Sequence, residues 1–485
     1  MEKLGDTPSN QAPADCPSRR TVLARSLLVA GMLPAQPLWA TSASMPIVGN
    51  VTGLYSVEVA RIEQPKTTLD VIEQIRRFPG RIAVGGGRYS MGGQVAVRHG
   101  LHLDMRQFNQ LVWLRSSARA VRVQAGMTWR DLQEHLDPHD LAVRVMQSFA
   151  NFTIGGSVSV NAHGRYVGLG PVGHTVRALQ LVLADGSVIE ATPEQNGLLF
   201  RAAIGGYGAV GVITEVELEL AKNEPIARSV VRIPLDEYTQ WFRSQVLSDP
   251  DAILHNADLL APDFSQPIAT TWRRTSGKPL TVTQRLVPRR QSYTREQNVI
   301  WAVAELPGGD RLRRTWIQPE QETAEVKWLN HEASQDVAML EPRTRAISTY
   351  VLQEYFVPGE RLAVFTRSMA ALARTHRANL LNVSIRHSPA DTRSLLPWAP
   401  QEVFSLVLYY KQRTRDSAQA SVARWTRAMI DLALRHGGRY YLPYQLHATR
   451  DQFQAAYPEA VELRKLKSQV DPWGRFLNEL WRKYL

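Results

Sequence analysis

The chain has 485 residues, and 44% hydrophobic with 21% charged residues is the balance of an ordinary globular protein, without the bias of fibrous or disordered chains. Single hydrophobic cores stop growing at about 250–300 residues, so more than one domain is expected. The formal charge of +12 is scattered, without a dense basic run interleaved with aromatics, and this excludes a nucleic-acid-binding protein.

At the N-terminus, Ser18-Arg19-Arg20-Thr21-Val22-Leu23 precedes an apolar run from Leu27 to Leu33, then Pro34, Pro37 and small residues at Ala40 and Ala43. This is the order of a secretory signal, and the paired arginines make it twin-arginine-like. Residues 1–40 are expected to be a signal peptide read by the twin-arginine export machinery, placing the protein in the periplasm or outside the cell. The run is shorter than the ~20 residues of a spanning helix, so no stable membrane span is expected. Cys16, the only cysteine, lies ahead of the run. Its removal would leave no disulfide, thiolate metal site or cysteine nucleophile. No HExxH or comparable ligand cluster occurs, and no metal site is expected.

From about Val57 the pattern alternates strands and helices. Thr68 to Phe78 is predicted as a helix capped by Thr67 or Thr68, with Leu69, Ile72 and Ile75 on one face. Arg81–Val84 is a strand entering a glycine loop, and Leu101–Asp104 and Ala120–Ala125 are further strands. Thr128 to His135 is a short helix, opened by Thr128 with Asp131 three residues on. Val176–Leu183 and Ser187–Ala191 form a hairpin about Asp185-Gly186, and Gly211–Leu220 is another strand. Near Ala221 to Pro225 the character changes, and to about residue 330 the chain is a less regular stretch rich in Arg, Pro and Trp. Three runs with period-two alternation follow: Ala346–Pro358, Leu380–His387 and Val403–Lys411. Helices at Glu360–Thr375 and Ala418–Arg435 alternate with them, which suggests an antiparallel sheet flanked by helices. A compact turn spans Asp471 to Asn478. The expected class is α+β, with a cofactor domain at 55–222, a substrate cap at 223–445 and a segment at 446–485 that returns to the first domain.

Glycine clusters mark where chemistry enters: Gly85-Gly86-Gly87-Arg88-Tyr89-Ser90, then Thr153-Ile154-Gly155-Gly156 running to His163-Gly164-Arg165, then Gly205-Gly206-Tyr207-Gly208. Such clusters cost backbone entropy and are kept where main chain must approach something closely. A bare run of N–H groups suits a pyrophosphate. Gly85-x-Gly87, with Asp104 about twenty residues on, imitates the nucleotide-binding βαβ fingerprint. However, Arg88 to Gly100 has no helical stripe to aim a helix N-terminus at phosphate. No Gly-Lys-Ser/Thr follows either, so a Walker loop is excluded.

In this order, the three segments and the strand Gly211-Val212-Ile213-Thr214 resemble the FAD-binding domain of the vanillyl-alcohol oxidase/p-cresol methylhydroxylase (PCMH-type) superfamily, over roughly Val57 to Leu220. The segment Leu352-Gln353-Glu354-Tyr355-Phe356-Val357-Pro358 and the tail are similar to alditol oxidases, sugar-lactone oxidases and decaprenylphosphoryl-ribose oxidase. The resemblance implies FAD, with Gly85, Gly86, Gly87, Arg88, Tyr89 and Ser90 at its pyrophosphate. Ser148, Thr153, Ile154, Gly155, Gly156, His163, Gly164 and Arg165 match positions along the same cofactor, and Ile213 matches one at its adenine end. Many relatives carry a covalently bonded His where this chain has Arg88. A guanidinium cannot form that link, so the FAD is expected to be non-covalent, with Arg88 either pairing a phosphate or facing solvent.

Oxidising an alcohol needs a carbon–hydrogen bond aimed at flavin N5 for hydride transfer, and a group to take the hydroxyl proton. On Leu380–His387, Asn382, Ser384 and Arg386 share a polar face expected to meet the substrate. The resemblance places a Glu-x-Arg pair of alditol oxidases at Ser384 and Arg386, of which only the Arg is present. Arg386 would stabilise an alkoxide or serve as an exposed ion-pairing residue. Gln353 and Tyr355 point together toward the expected substrate side, with Glu354 opposite. Tyr441 keeps a flavin-contacting tyrosine of the ribose oxidase group, and Tyr444 replaces a site lysine. His163 is the first candidate for proton handling, or else a structural residue tying down a glycine turn; Tyr441 and Tyr444 are weaker base candidates. Tyr355, Tyr409, Tyr410, Tyr441 and Tyr444 form either an aromatic wall or core. The leading expectation is an FAD-dependent oxidase or dehydrogenase acting on a CH–OH donor of sugar, sugar-lactone or polyol type, its electron acceptor being oxygen or another molecule. The alternatives are flavin-dependent oxidation of a C–N or C–C bond in the same fold, or a non-catalytic periplasmic binding protein.

Overall fold

Helix Thr68–Arg77 shows how local sequence sets the first layer. Thr67 accepts from the Asp70 amide and Asp70 accepts from the Thr67 amide, a capping box worth about 1 kcal/mol. Its buried face is Val71 and Ile75, whereas Leu69 is 75% exposed. The i, i+4 pair therefore faces the core, not the expected Leu69 stripe. The computed structural model describes residues 44–306, 308–309 and 323–485. The expected signal peptide and Cys16 lie outside the described residues.

This helix accompanies a three-stranded parallel sheet ordered Arg61–Glu63, Leu101–Asp104, Ile82–Gly85. No helix lies between Arg88 and Gly100, so the first glycine loop stays a loop. A second, antiparallel sheet runs Val188–Ala191, Val176–Val182, Val212–Lys222, Ala120–Gln124, Leu111–Arg115. Leu141–Val143 adds to the end of Val212–Lys222. Helix Trp129–Leu136 starts at a second capping box, Thr128 with Asp131.

The third sheet has eight antiparallel strands ordered Val326–Trp328, Pro225–Arg232, Ile268–Arg274, Ala252–Leu259, Leu380–Ser388, Val403–Arg413, Ser348–Val357, Arg439–Tyr440. Four of these strands fall in the stretch expected to be irregular. Their alternation is carried by Ala, Thr, Asn and His as much as by large apolar residues, as in Ala252–Leu259, so the hydrophobic signal is faint. Helices Leu362–Thr375 and Asp416–Arg435 pack together, the second also against strands of this sheet. The whole is a two-domain α+β fold of the expected class.

The tail closes back on the first sheet. Ile82 donates to the Arg475 carbonyl at 2.7 Å and Leu477 donates to the Ile82 carbonyl at 3.0 Å. The Asp471 carboxylate organises the preceding turn, accepting from the Arg475 and Phe476 amides at 2.7 and 2.8 Å and from Lys467 at 2.7 Å.

Candidate active site

One cavity joins the glycine segments to a face of the eight-stranded sheet. Its first wall is Gly85, Gly86, Gly87, Arg88, Tyr89 and Ser90, continued by Ser148, Thr153, Gly155 and Gly156 and by Gly208, Val210, Gly211 and Ile213. The close approach is real at Gly86, where a Cβ would lie 2.0 Å from Thr153 Oγ1, and at Gly155, where it would lie 2.5 Å from Ala125 Cβ. Ser148 Oγ is buried at this wall without a partner, the state of a donor whose acceptor is a ligand. Narrow glycine backbone and an orphaned hydroxyl fit a dinucleotide lying along the wall.

Not every expected cofactor residue reaches it. Ile154 is fully buried in the core, and Gly164 packs where a Cβ would meet the Met146 carbonyl at 2.0 Å. Arg165 is 2.7 Å from Glu332, which also pairs with Lys327 at 2.7 Å. Those three residues hold the cavity's surroundings and do not line it. Arg88 adopts a left-handed φ of 60°, and its Nη2 donates to Asp104 at 3.0 Å. Arg106 takes the same buried carboxylate through two bonds of 2.8 and 2.6 Å. Burial by itself would raise the Asp104 carboxyl, but the two guanidinium groups outweigh it and hold it below its ordinary value. Arg88 thus has a carboxylate partner at the cavity edge, not the open solvent of one sequence alternative.

The opposite wall comes from the eight-stranded sheet and the Tyr441–Tyr444 segment: Tyr350, Leu352, Glu354, Arg386, Val407, Tyr409, Tyr441 and Tyr444. Strand alternation sends Tyr350, Leu352 and Glu354 inward and Gln353 and Tyr355 to the other face. Gln353 donates to Tyr410 at 3.1 Å and to Thr426 of helix Asp416–Arg435 at 2.6 Å, and Tyr355 donates to Gln353 at 2.5 Å. Both expected substrate residues are therefore core, because the helix covers their face. Asn382 donates to Asp258 at 2.8 Å, and Ser384 is the cross-strand neighbour of Val407, outside the lining. Only Arg386 of that polar row reaches the cavity. Of the tyrosines, Tyr409, Tyr441 and Tyr444 line the cavity, while Tyr355 and Tyr410 are core.

His163 and Glu354 meet in the middle. Nε2 lies 2.5 Å from Oε1, with both side chains buried. Tyr444 donates to the other carboxylate oxygen at 3.1 Å. Burial pushes Glu354 up, but His163 and Arg386 prevail and hold it below the usual carboxylate range. Burial, then Glu354, drives the Tyr444 phenol well above its ordinary value, and burial does the same to Tyr441. Tyr441 donates to the Val160 and Asn161 carbonyls at 2.8 and 3.2 Å. Both phenols are donors, so neither serves as a base. The turn before His163 is locked: Asn161, at φ 49°, donates to Asp391 at 2.8 Å and its carbonyl accepts from Trp398 at 2.9 Å. Glu354 is the site residue that sequence reasoning turned outward. The available signal was the alternation itself, with the two faces exchanged.

Residues 58–192 match a family described as FAD binding domain. Across the longer chain, L-gulonolactone oxidase of Mus musculus is 22% identical over 424 residues, covering 85% of this chain and 92% of that protein. Decaprenylphosphoryl-beta-D-ribose oxidase of Mycolicibacterium smegmatis is 24% identical over 420 residues, covering 83% and 89%. Alditol oxidase of a Streptomyces species is 25% identical over 401 residues, covering 76% and 82%. Over these spans the chain is similar to PCMH-type FAD-binding oxidoreductases. It is an FAD-dependent oxidoreductase. Among the described residues no group of His, Cys, Asp and Glu could hold a metal, and no helix is long and apolar enough to cross a membrane.

Proposed function

We propose that this protein oxidises the CH–OH group of a sugar, sugar lactone or polyol, using FAD bound without a covalent link. The observation that carries the proposal is the single cavity in which a glycine wall faces a buried carboxylate, a histidine and an arginine. The relatives' names supply the alcohol and lactone chemistry. Residues 55–222 would hold the cofactor, 223–445 would shape the substrate side, and 446–485 would brace the first domain. The main chain of Gly85 to Ser90 and the hydroxyls of Ser148 and Thr153 are the groups placed to hold it. When bound, FAD would supply the two-electron acceptor for the alcohol's hydride. The hydroxyl proton passes to His163, while Arg386 steadies the developing negative charge on the substrate oxygen. With Arg88 in the position of the linking histidine and held by Asp104, no side chain is offered there for attachment.

A twin-arginine signal at residues 1–40 would export the protein to the periplasm or beyond. Anaerobic mixing with sugar alcohols, lactones and amines tests the function: the first two classes should bleach the flavin absorbance and amines should not. Acid precipitation should leave yellow pigment in the supernatant, and pigment retained in the pellet would show a covalent link.

A further inference from the structure

We infer that Glu354 and His163 work as one acid–base unit, in which the buried carboxylate holds Nε2–H and leaves Nδ1 of the imidazole to take the substrate's hydroxyl proton. The inference rests on the reading above, that an alcohol is oxidised here. Nε2 and Oε1 lie 2.5 Å apart as an ion pair off the line of a hydrogen bond, Oε1 having no hydrogen-bond partner, and the hydrogen is assigned to Nε2 as the nitrogen facing the carboxylate. Ring contacts fix the orientation. The imidazole centroid lies 4.7 Å from Trp398, 5.8 Å from Phe356 and 5.9 Å from Tyr441. The step balances. The carbinol C–H leaves as hydride to the flavin, the O–H proton goes to Nδ1, the carbonyl forms, and the imidazolium is stabilised by Glu354.

The surroundings suit that charge arrangement. Of the arginines lining the cavity, Arg88 pairs with Asp104 and Arg345 with Glu341, leaving Arg386 as the cation that acts on Glu354, while Arg165 outside it is matched by Glu332. Burial keeps Tyr207, Tyr441, Tyr444 and Tyr457 protonated. Asp258 and Asp391 accept from Asn382 and Asn161. Glu354 acts through the imidazole and is a positioning residue. It is otherwise unexplained: a carboxylate buried at the cavity floor is expensive unless its charge has a use.

The flavin-loaded protein provides the test, with Glu354→Gln as an isosteric change of charge. The rate of anaerobic flavin reduction should fall on the order of 100-fold with KM moving less than about threefold. The acid limb of the pH–rate profile should move to lower pH, because an amide cannot stabilise the imidazolium. Tyr444→Phe removes the donor to the same carboxylate, making it a stronger acceptor, and should move that limb the opposite way. Adding His163→Gln to Glu354→Gln should cost little beyond either alone, since the pair acts as a unit. Independently of turnover, a low-field resonance of the His163 Nε2 proton facing Glu354 should appear in the parent protein and vanish in Glu354→Gln. If Glu354→Gln keeps the parent rate and pH profile, or if the two Glu354 and Tyr444 variants shift the limb in the same direction, the pair is not the unit described. If Glu354→Gln does not fold, the Tyr444→Phe shift and the parent resonance decide alone. A parent protein that no alcohol reduces overturns the alcohol reading itself, and the inference with it.

Discussion

Two polar clusters hang from opposite faces of the strand Ser348–Val357, and they differ in how fully their bonds are spent. On the helix side, Gln353, Tyr355, Tyr410 and Thr426 bond to one another and to the Val422 carbonyl. On the cavity side, His163 pairs with Glu354 and Tyr444 donates to it, while Glu354 Oε1 and Arg386 Nε have no hydrogen-bond partner. A closed network specifies packing; an open one waits for a ligand. The adjacent residues Gln353 and Glu354 are both buried and polar, and only what covers each face separates their roles.

Acid challenges the contrast most strongly, through a third buried polar cluster whose charges are matched. Burial alone would raise Glu332, yet Arg165 and Lys327 pull its carboxyl down to about 2 from an ordinary 4.5. A depressed carboxyl contributes stability that is complete above the unfolded-state value and lost as pH falls through the folded one. That amounts to about 3 kcal/mol, disappearing between about pH 4.5 and 2. Thermal melting across that range should show the loss, and Glu332→Gln should flatten it while lowering stability at neutral pH.

Gln353→Leu comes next. It strands the Tyr355 hydroxyl, removes one bond each from Tyr410 and Thr426, and should cost about 2 kcal/mol in denaturant unfolding. The reduction rate per bound flavin should stay within about twofold, since the residue faces away from the cavity. A large rate loss at unchanged stability would reverse the assignment of faces. Tyr441→Phe removes one donor from two carbonyls and should cost about 1 kcal/mol, with a smaller rate loss than Glu354→Gln. Leu69→Ser, on the exposed side of its helix, should lie within about 0.5 kcal/mol of the parent.

Much of this was legible along the chain. Helix starts at Thr67 and Thr128 carry their own capping chemistry, and those boundaries lie within a residue of expectation. The glycine wall could be read because only Gly tolerates the contacts at residues 86 and 155. The four strands between 225 and 330 were illegible, since their inward positions hold small and polar residues as often as large apolar ones. Arg165 looked like a cofactor ligand until Glu332, 167 positions away, took it. The polar row Asn382, Ser384 and Arg386 shares one face, yet Asn382 finds Asp258 on the neighbouring strand and only Arg386 reaches the cavity.

Chain order alone determined the class of fold, the cofactor's cradle and the presence of a polar strand face, because capping, alternation and glycine tolerance are local properties. Which strand face became the site was decided only in three dimensions. Alternation groups side chains by parity, but a helix sixty residues further on chose which parity would be covered. The same packing delivered His163 to Glu354, a meeting of residues far apart along the chain that no local pattern encodes.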